Sequence, residues 1–194
     1  MNNLFGGRLQ VDNKTVLLVW INVIVFVLQM ILGRWFTAFF MLSGSVLNPL
    51  MYVRLVTHMF LHGGFLHILF NMYFLYMFGS IIEDTIGSKR FLALYMVAGV
   101  VAGFVANFFY TAGMLGASAA VMGIIGITIM LYPNMRLYLF FILPIRLWHA
   151  AILFVLIDVA NVIHPTNNTG SLAHLIGLGI GLAYGWHYKR KYYY

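Results

Sequence analysis

Ser118 and His174 are the residues of this sequence whose side chains could together attack an acyl group. Ser118 ends the glycine-rich stretch GMLGAS (113–118) and is followed at once by the apolar run AAVMGI (119–124). Serine becomes a nucleophile at neutral pH when a base lies within hydrogen-bond reach, and histidine, with an unperturbed pKa of about 6.5, is the usual base. A serine at such a boundary is also a favoured helix N-cap, which is the alternative interpretation of Ser118.

His67 and Asn71 could serve the same chemistry as hydrogen-bond donors. They lie four residues apart in HGGFLHILFN (62–71), so on a helix they share one face. An acyl-transfer intermediate needs donors aimed at its oxyanion. The ring N–H of His67, the side-chain amide of Asn71 and the backbone N–H of Ser118 are the expected donors, the last because the first amides of a helix have no acceptor within it.

The composition indicates a membrane protein in which these residues are buried in apolar surroundings. Of the 194 residues 63% are hydrophobic and 8% charged, and the mean hydropathy is +0.94. Soluble domains carry about 25% charged residues. The net charge of +7 comes from scattered basic residues without a basic stripe, so we expect no nucleic-acid partner. The chain has no cysteine, which excludes disulfides and thiolate metal sites.

Hydropathy predicts six membrane spans in one domain, residues 1–194. Taking about 20 apolar residues as one crossing, the spans are expected at 16–36, 65–82, 91–110, 118–132, 148–163 and 171–187. The apolar stretch 133–148 contains Pro133 and Pro144 and is expected at the membrane interface. The predicted fold class is therefore an all-α membrane protein, a compact bundle of six transmembrane helices with a structured first outer loop.

The distribution of basic residues predicts the orientation. With the N-terminus inside, nine Lys and Arg residues lie on the inner side and two, Arg34 and Arg54, on the outer side, in agreement with the positive-inside rule. Ser118 then begins span four at its outer end. His67, Asn71 and His174 fall at the same depth, although the spans were assigned from hydropathy and basic residues alone.

No acidic residue is expected at that depth. Glu83 and Asp84 lie at the inner ends of their spans, and Asp158 falls near the middle of span five. We therefore predict a Ser–His dyad in which packing or an unidentified neighbour orients His174. Asp158 is unexplained at this stage, and pairing with a neighbouring helix is the open alternative for it.

Small residues predict that spans four and six pack closely, which would bring Ser118 and His174 together. Small-xxx-small patterns let helix backbones approach each other in membranes. The residues concerned are Ala119, Gly123 and Gly126 on span four, and Gly177, Gly181 and Gly185 on span six.

These motifs resemble those of the rhomboid family of intramembrane serine proteases. The resemblance rests on GAS at Ser118, HxxxN from His67 to Asn71, AHxxGxxxG from Ala173 to Gly181, and Arg54 in the first outer loop, in the family's order over about residues 52–185. It implies Ser118 as nucleophile, His174 as base, and His67 and Asn71 as oxyanion residues. It also implies transmembrane segments of other proteins as substrates, admitted past span five and the loop after it.

Two positions depart from the family pattern. Ala119 stands where the family motif continues with glycine, and Val53 stands where a tryptophan usually precedes the arginine. Because both chemical residues are present, the expected function is intramembrane hydrolysis of peptide bonds in or near transmembrane segments. The runner-up is a proteolytically inactive member that binds transmembrane clients.

Other classes of enzyme fit the sequence less well. His58 and His62 are spaced as metal ligands could be, but the chain has neither cysteine nor an HExxH motif, so we expect no metal and no cofactor. An aspartyl protease would need a second aspartate within a span. The expected location is a bacterial inner membrane, with both termini cytoplasmic and the lipid bilayer and transmembrane substrates as partners. The sequence assigns neither substrate-binding residues nor an oligomeric state.

Overall fold

Seven α-helices and one small β-hairpin make up the part of the chain that the structure, a computed structural model, describes. That part comprises residues 12–110, 113–139, 143–164 and 170–193. The helices are α1 (Lys14–Phe40), α2 (Pro49–Thr57), α3 (Phe65–Ile86), α4 (Ser88–Ala106), α5 (Ser118–Leu131), α6 (Leu147–Ile163) and α7 (Ser171–Tyr192). A 3-10 turn, His58–Phe60, follows α2, and strands β1 (Arg136–Leu139) and β2 (Leu143–Arg146) pair antiparallel.

Each predicted span corresponds to one helix, which confirms the all-α membrane class. By length and apolar composition α1, α3 and α4 can each cross a membrane, and α5 and α6 are shorter apolar helices. The helix ends differ from the predicted ones. Gly33 interrupts α1 with a φ of 71°, and α3 and α4 meet in a tight turn at Gly87, so α3 runs to Ile86 and α4 begins at Ser88.

Helix α5 lies at the centre of the bundle and packs backbone to backbone against α7. All residues from Ala119 to Thr128 are buried. A Cβ on Gly177 or Gly181 of α7 would collide with the carbonyl oxygen of Ala119 or Gly123. The predicted close packing through small residues is therefore present, and it brings the first turn of α5 against the first turns of α7.

Glu83 anchors the start of α1 at the end of the bundle remote from Ser118. Its buried carboxylate accepts hydrogen bonds from the backbone N–H groups of Lys14 at 2.7 Å and Thr15 at 2.8 Å, and from the Ser88 hydroxyl. A carboxylate at a helix N-terminus satisfies amides that have no acceptor within the helix and complements the helix dipole.

The segments between the long helices are also ordered. Asn48 caps α2 by accepting from Leu50 N–H, and Pro49 takes the first helical position, where its missing N–H costs nothing. Arg54 donates to the carbonyls of Phe39 at 2.8 Å and Ser43 at 3.1 Å, which confirms a structured first loop. The segment between α5 and α6, predicted only as interfacial, forms the β-hairpin.

Candidate active site

Ser118 and His174 are in direct hydrogen-bond contact. The Ser118 Oγ lies 2.8 Å from the His174 Nε2. Ser118 is the first residue of α5, the N-cap position belongs to Ala117, and no side chain caps this helix. The N-cap interpretation of Ser118 is therefore wrong, because its hydroxyl faces α7 instead of the free amides of its own helix.

The start of α7 holds His174 in place. His174 is in the first turn, and its backbone N–H donates to the carbonyl of Gly170, which has a φ of 68°. The N–H of Leu172 donates to the Tyr110 hydroxyl at 3.1 Å, which ties α7 to the segment after α4. The close approach at Gly177, one turn further on, then sets the distance between His174 and α5.

The loop that precedes Ser118 is fixed by the first outer loop. Leu42 and Met114 form an isolated antiparallel bridge, and Gly116 donates its N–H to the carbonyl of His58 at 2.9 Å. Gly116 has a φ of 130°, and a Cβ there would lie 3.0 Å from the His67 ring. Glycine is therefore required at 116 both by the backbone conformation and by the histidine beside it.

His67 and Asn71 lie beside Ser118, as their spacing on one helix face predicted. The Nδ1 of His67 accepts from Gly63 N–H at 3.3 Å, so the proton of the neutral ring is on Nε2, the ring nitrogen on the side of Gly116. Asn71 donates one amide hydrogen to the carbonyl of His67 at 2.9 Å, and its second amide hydrogen is available for another acceptor. Both side chains line a cavity that also contains Ser118.

His58 and His62 are buried rings of the first outer loop. Burial lowers the pKa of His58 to about 4, and burial together with the nearby His67 lowers the pKa of His62 to about 3. Both rings are therefore neutral at neutral pH. Gln29 of α1 fixes the backbone of His62 by accepting its N–H and donating to its carbonyl. These contacts tie the first outer loop to α1 at His62.

Two cavities meet at Ser118. One, of about 370 Å³, lies under the first outer loop and is bordered by His58, Gly63, Gly116 and His174. The other, of about 400 Å³, lies between α3 and α6, and its apolar wall comprises Leu66, Phe70, Phe74, Phe154 and Ile157. Ser118, His67 and His174 belong to both linings, so a group bound at the hydroxyl can be reached from either side.

Asp158 of α6 is the site residue that the sequence interpretation misplaced. Its Oδ1 lies 3.2 Å from the Nδ1 of His174, opposite the nitrogen that contacts Ser118. The expectation that no acid lies near His174 is wrong. Helix α6 ends at Ile163 on the side of the active site, and Asp158 is five residues before that end. At 1.5 Å per residue Asp158 therefore lies about 7.5 Å below the end of the helix, close to the depth of His174. One signal could have found it, since an ionisable residue within a span is a functional candidate by default.

A half-buried serine hydroxyl that is hydrogen-bonded to a histidine inside an apolar helical bundle defines a class of membrane protein with a Ser–His pair at its site. Comparison with known proteins specifies the family. The rhomboid domain model matches residues 49–191, well over half of the chain. The chain belongs to the rhomboid family.

Similar proteins include bacterial and mitochondrial members. The chain is 32% identical to "Rhomboid protease GlpG" of Haemophilus influenzae over 135 residues, covering 68% of this chain and 67% of that protein. It is 31% identical to "Putative rhomboid protease YdcA" of Bacillus subtilis over 134 residues, 64% of this chain and 61% of the relative. Identity to "Rhomboid protein 1, mitochondrial" of Saccharomyces cerevisiae is 29% over 147 residues, 71% of this chain but 42% of the relative. The match thus spans from under half to about two thirds of these relatives.

Proposed function

We propose that this chain is an intramembrane serine endopeptidase in which Ser118 is the nucleophile and His174 the general base. The observation that carries the proposal is the 2.8 Å contact between the Ser118 Oγ and the His174 Nε2 within a membrane-embedded bundle. Protease names among the similar proteins support it. A Ser–His contact at this distance is the arrangement that activates a serine hydroxyl for acyl transfer.

The reaction proceeds in two halves. The Ser118 Oγ bonds to the carbonyl carbon of the scissile peptide while its proton moves to the His174 Nε2. The oxyanion is stabilised by the Nε2–H of His67, the free amide hydrogen of Asn71 and the Ser118 backbone N–H at the N-terminus of α5. His174 then gives its proton to the leaving amine as the C–N bond breaks. Water, activated by His174, hydrolyses the acyl-enzyme and regenerates both groups.

The substrate class follows from the apolar cavity between α3 and α6. Phe65, Leu66 and Phe70 of α3 are exposed, as are Leu153 and Ile157 of α6, so both helices present apolar surface toward lipid beside this cavity. A transmembrane segment of another protein can lie against this surface and place a side chain in the cavity next to Ser118. The cavity under the first outer loop is the route for water.

The first experiment is labelling of the detergent-purified protein with a serine-reactive fluorophosphonate. Wild type should label, and Ser118→Ala and His174→Ala should fall to background. Ser80→Ala is the matched control, because the Ser80 hydroxyl bonds to the carbonyl of Tyr76, one turn earlier on α3, and its loss should leave labelling unchanged. A folded wild type that neither labels nor cleaves a transmembrane substrate, yet retains that substrate on co-purification, would favour the client-binding alternative.

A reversible cross-link tests the lateral route. Because the chain has no cysteine, the double variant Leu66→Cys, Ile157→Cys can be bridged across the apolar cavity with a bis-methanethiosulfonate reagent. We expect the bridge to stop cleavage of a transmembrane substrate while fluorophosphonate labelling through the other cavity continues. Reduction should restore cleavage. Equal cleavage with and without the bridge would refute access between α3 and α6.

For the location, we propose a bacterial inner membrane with both termini cytoplasmic. The support is the distribution of Lys and Arg, including Lys189, Arg190 and Lys191 in the last turn of α7. Fusion of a cytoplasmically active reporter to the C-terminus should give signal in a bacterial host. A periplasmic reporter that is active at the same position would reverse the orientation.

A further inference from the structure

Asp158 is a buried carboxylate of α6, and the other buried residues of this helix are apolar. The buried residues of α6 are Leu147, Ala150, Ala151 and Asp158, at spacings that place them along one side of the helix. The Asp158 side chain is 10% exposed and the His174 side chain 23%. Burial of a carboxylate costs free energy unless a partner compensates, and here the Asp158 Oδ1 is 3.2 Å from the His174 Nδ1.

The other acidic side chains are remote from His174. The sequence has four acidic residues, of which Glu83 and Asp84 lie at the opposite end of α3 and Asp12 precedes α1 beside Ser88. Asp158 is therefore the acidic side chain available to His174. The titratable groups that share the cavity with His174 from other elements are His67 of α3 and His58 of the 3-10 turn.

We infer that Asp158 is a positioning residue that holds His174 in the tautomer needed for the proposed reaction. The inference rests on the proposed function and adds a third residue to the Ser–His pair. An ionised carboxylate only accepts hydrogen bonds, so contact with Asp158 requires the proton of the neutral imidazole to be on Nδ1. The lone pair is then on Nε2, which lies 2.8 Å from the Ser118 Oγ and accepts its proton.

The contact between Asp158 and His174 also stabilises the charge that forms during the reaction. When the Ser118 proton reaches Nε2, the imidazolium that forms has the carboxylate on its other side, which stabilises the positive charge without accepting the proton. Asparagine at 158 would keep the size of the side chain but could donate to Nδ1 through its amide. That donation selects the opposite tautomer, with its proton on Nε2, which can no longer act as a base toward Ser118.

The test combines nitrogen NMR of histidine with cleavage kinetics. The spectra are recorded on ¹⁵N-histidine-labelled protein at about pH 8, where a free imidazole is neutral. The resonances that are missing in His174→Ala belong to His174. In wild type they should show a protonated Nδ1 and an unprotonated Nε2. In Asp158→Asn the proton should move to Nε2 or divide between the nitrogens. The rate constant kcat should fall at least about tenfold, with about 10⁴-fold as the upper bound, and KM should stay within about twofold.

Two variants separate this role from simple packing. Asp158→Glu keeps the carboxylate and should retain the Nδ1–H tautomer and more activity than Asp158→Asn. Asp84→Asn, on the exposed end of α3, should change neither readout. A packing role would instead lower activity in Asp158→Glu and Asp158→Asn alike, without a change of tautomer, and that pattern would overturn the inference.

The two proposals fail in different ways. If wild type is inactive but its His174 tautomer depends on Asp158, the proposed function fails and the Asp158–His174 pairing stands. If wild type cleaves substrate while His174 carries its proton on Nε2, or while Asp158→Asn leaves tautomer and kcat unchanged, the pairing inference is refuted and the protease remains a dyad. If Asp158→Asn does not fold, the wild-type tautomer alone decides.

Discussion

Replacing Gly177 by alanine should separate α5 from α7 and thereby break the contact between Ser118 and His174. A Cβ at 177 would lie 2.9 Å from the carbonyl carbon of Ala119 and closer still to its oxygen, whereas ordinary contact begins at 3.4 Å. The obstacle is backbone, which cannot rotate away as a side chain would. The helices must therefore move apart by about 1 Å, because a close-packed interface offers no room for the methyl group.

That displacement has a cost in stability and a cost in rate. Overpacking of this kind costs about 1–3 kcal/mol. The distance from the Ser118 Oγ to the His174 Nε2, now 2.8 Å, would grow beyond hydrogen-bond range. A misplacement of about 1 Å at reacting groups can cost about 10²-fold in rate, so kcat for a transmembrane substrate should fall by roughly that factor.

Gly179→Ala is the matched control on the same helix. Gly179 is exposed and has nothing within 4 Å of a Cβ, so both variants gain the same helix propensity, about 1 kcal/mol, and only Gly177→Ala meets an obstacle. Thermal unfolding in detergent and single-turnover cleavage measure the two effects. If Gly177→Ala matched Gly179→Ala in both, backbone contact between α5 and α7 would not be what sets the Ser–His distance.

Three further predictions concern the oxyanion donors, the anchor of α1 and the pH dependence of stability. Asn71→Ala should lower kcat by about 10²-fold or less with little change in KM, and an unchanged kcat would remove Asn71 from that role. Glu83→Gln should lower the free energy of unfolding by about 2–3 kcal/mol, because charge-assisted hydrogen bonds to α1 are lost. Asp84 is exposed, so Asp84→Asn should leave the free energy of unfolding unchanged. Because burial lowers the pKa of His58 from 6.5 to about 4, the unfolded chain alone takes up a proton there as the pH falls through this range. His58 should therefore contribute about 3 kcal/mol to the stability that is lost between pH 6.5 and 4, in addition to the loss that His62 causes. Denaturant titrations should show a weaker decline in His58→Gln, and an equal decline would mean that His58 does not cause it.

Hydropathy predicted the six helices that correspond to the expected spans, but not α2, and residue spacing and depth predicted that Ser118, His174, His67 and Asn71 lie together. In a bilayer the backbone must satisfy its hydrogen bonds within each span, so a long apolar run predicts a helix without knowledge of its neighbours. The i to i+4 spacing of His67 and Asn71 predicts a shared face for the same local reason. The small residues of α5 and α7 predicted close packing, because only small side chains permit backbone contact.

Hydropathy and residue spacing did not predict the features that depend on contacts between separate elements. The turn at Gly87 and the β-hairpin between α5 and α6 join elements through pairings that hydropathy does not encode. Asn48 and Pro49 mark the start of α2, but the anchoring of that loop by Arg54 requires carbonyls 11 to 15 residues earlier in the chain. Long-range contacts of this kind leave no periodic signal in the sequence.

Asp158 shows most clearly what only the tertiary structure decided. The sequence placed an aspartate in a span, but its depth depends on where α6 ends, and its direction depends on how α6 rotates and leans against α7. A carboxylate and an imidazole are in contact only within a few ångströms. The helix ends predicted from hydropathy are uncertain by several residues of 1.5 Å each, so the error in depth exceeds the range of the contact. The sequence therefore determined which chemical groups are present and on which helices, and the packing of α6 on α7 determined that Asp158 meets His174.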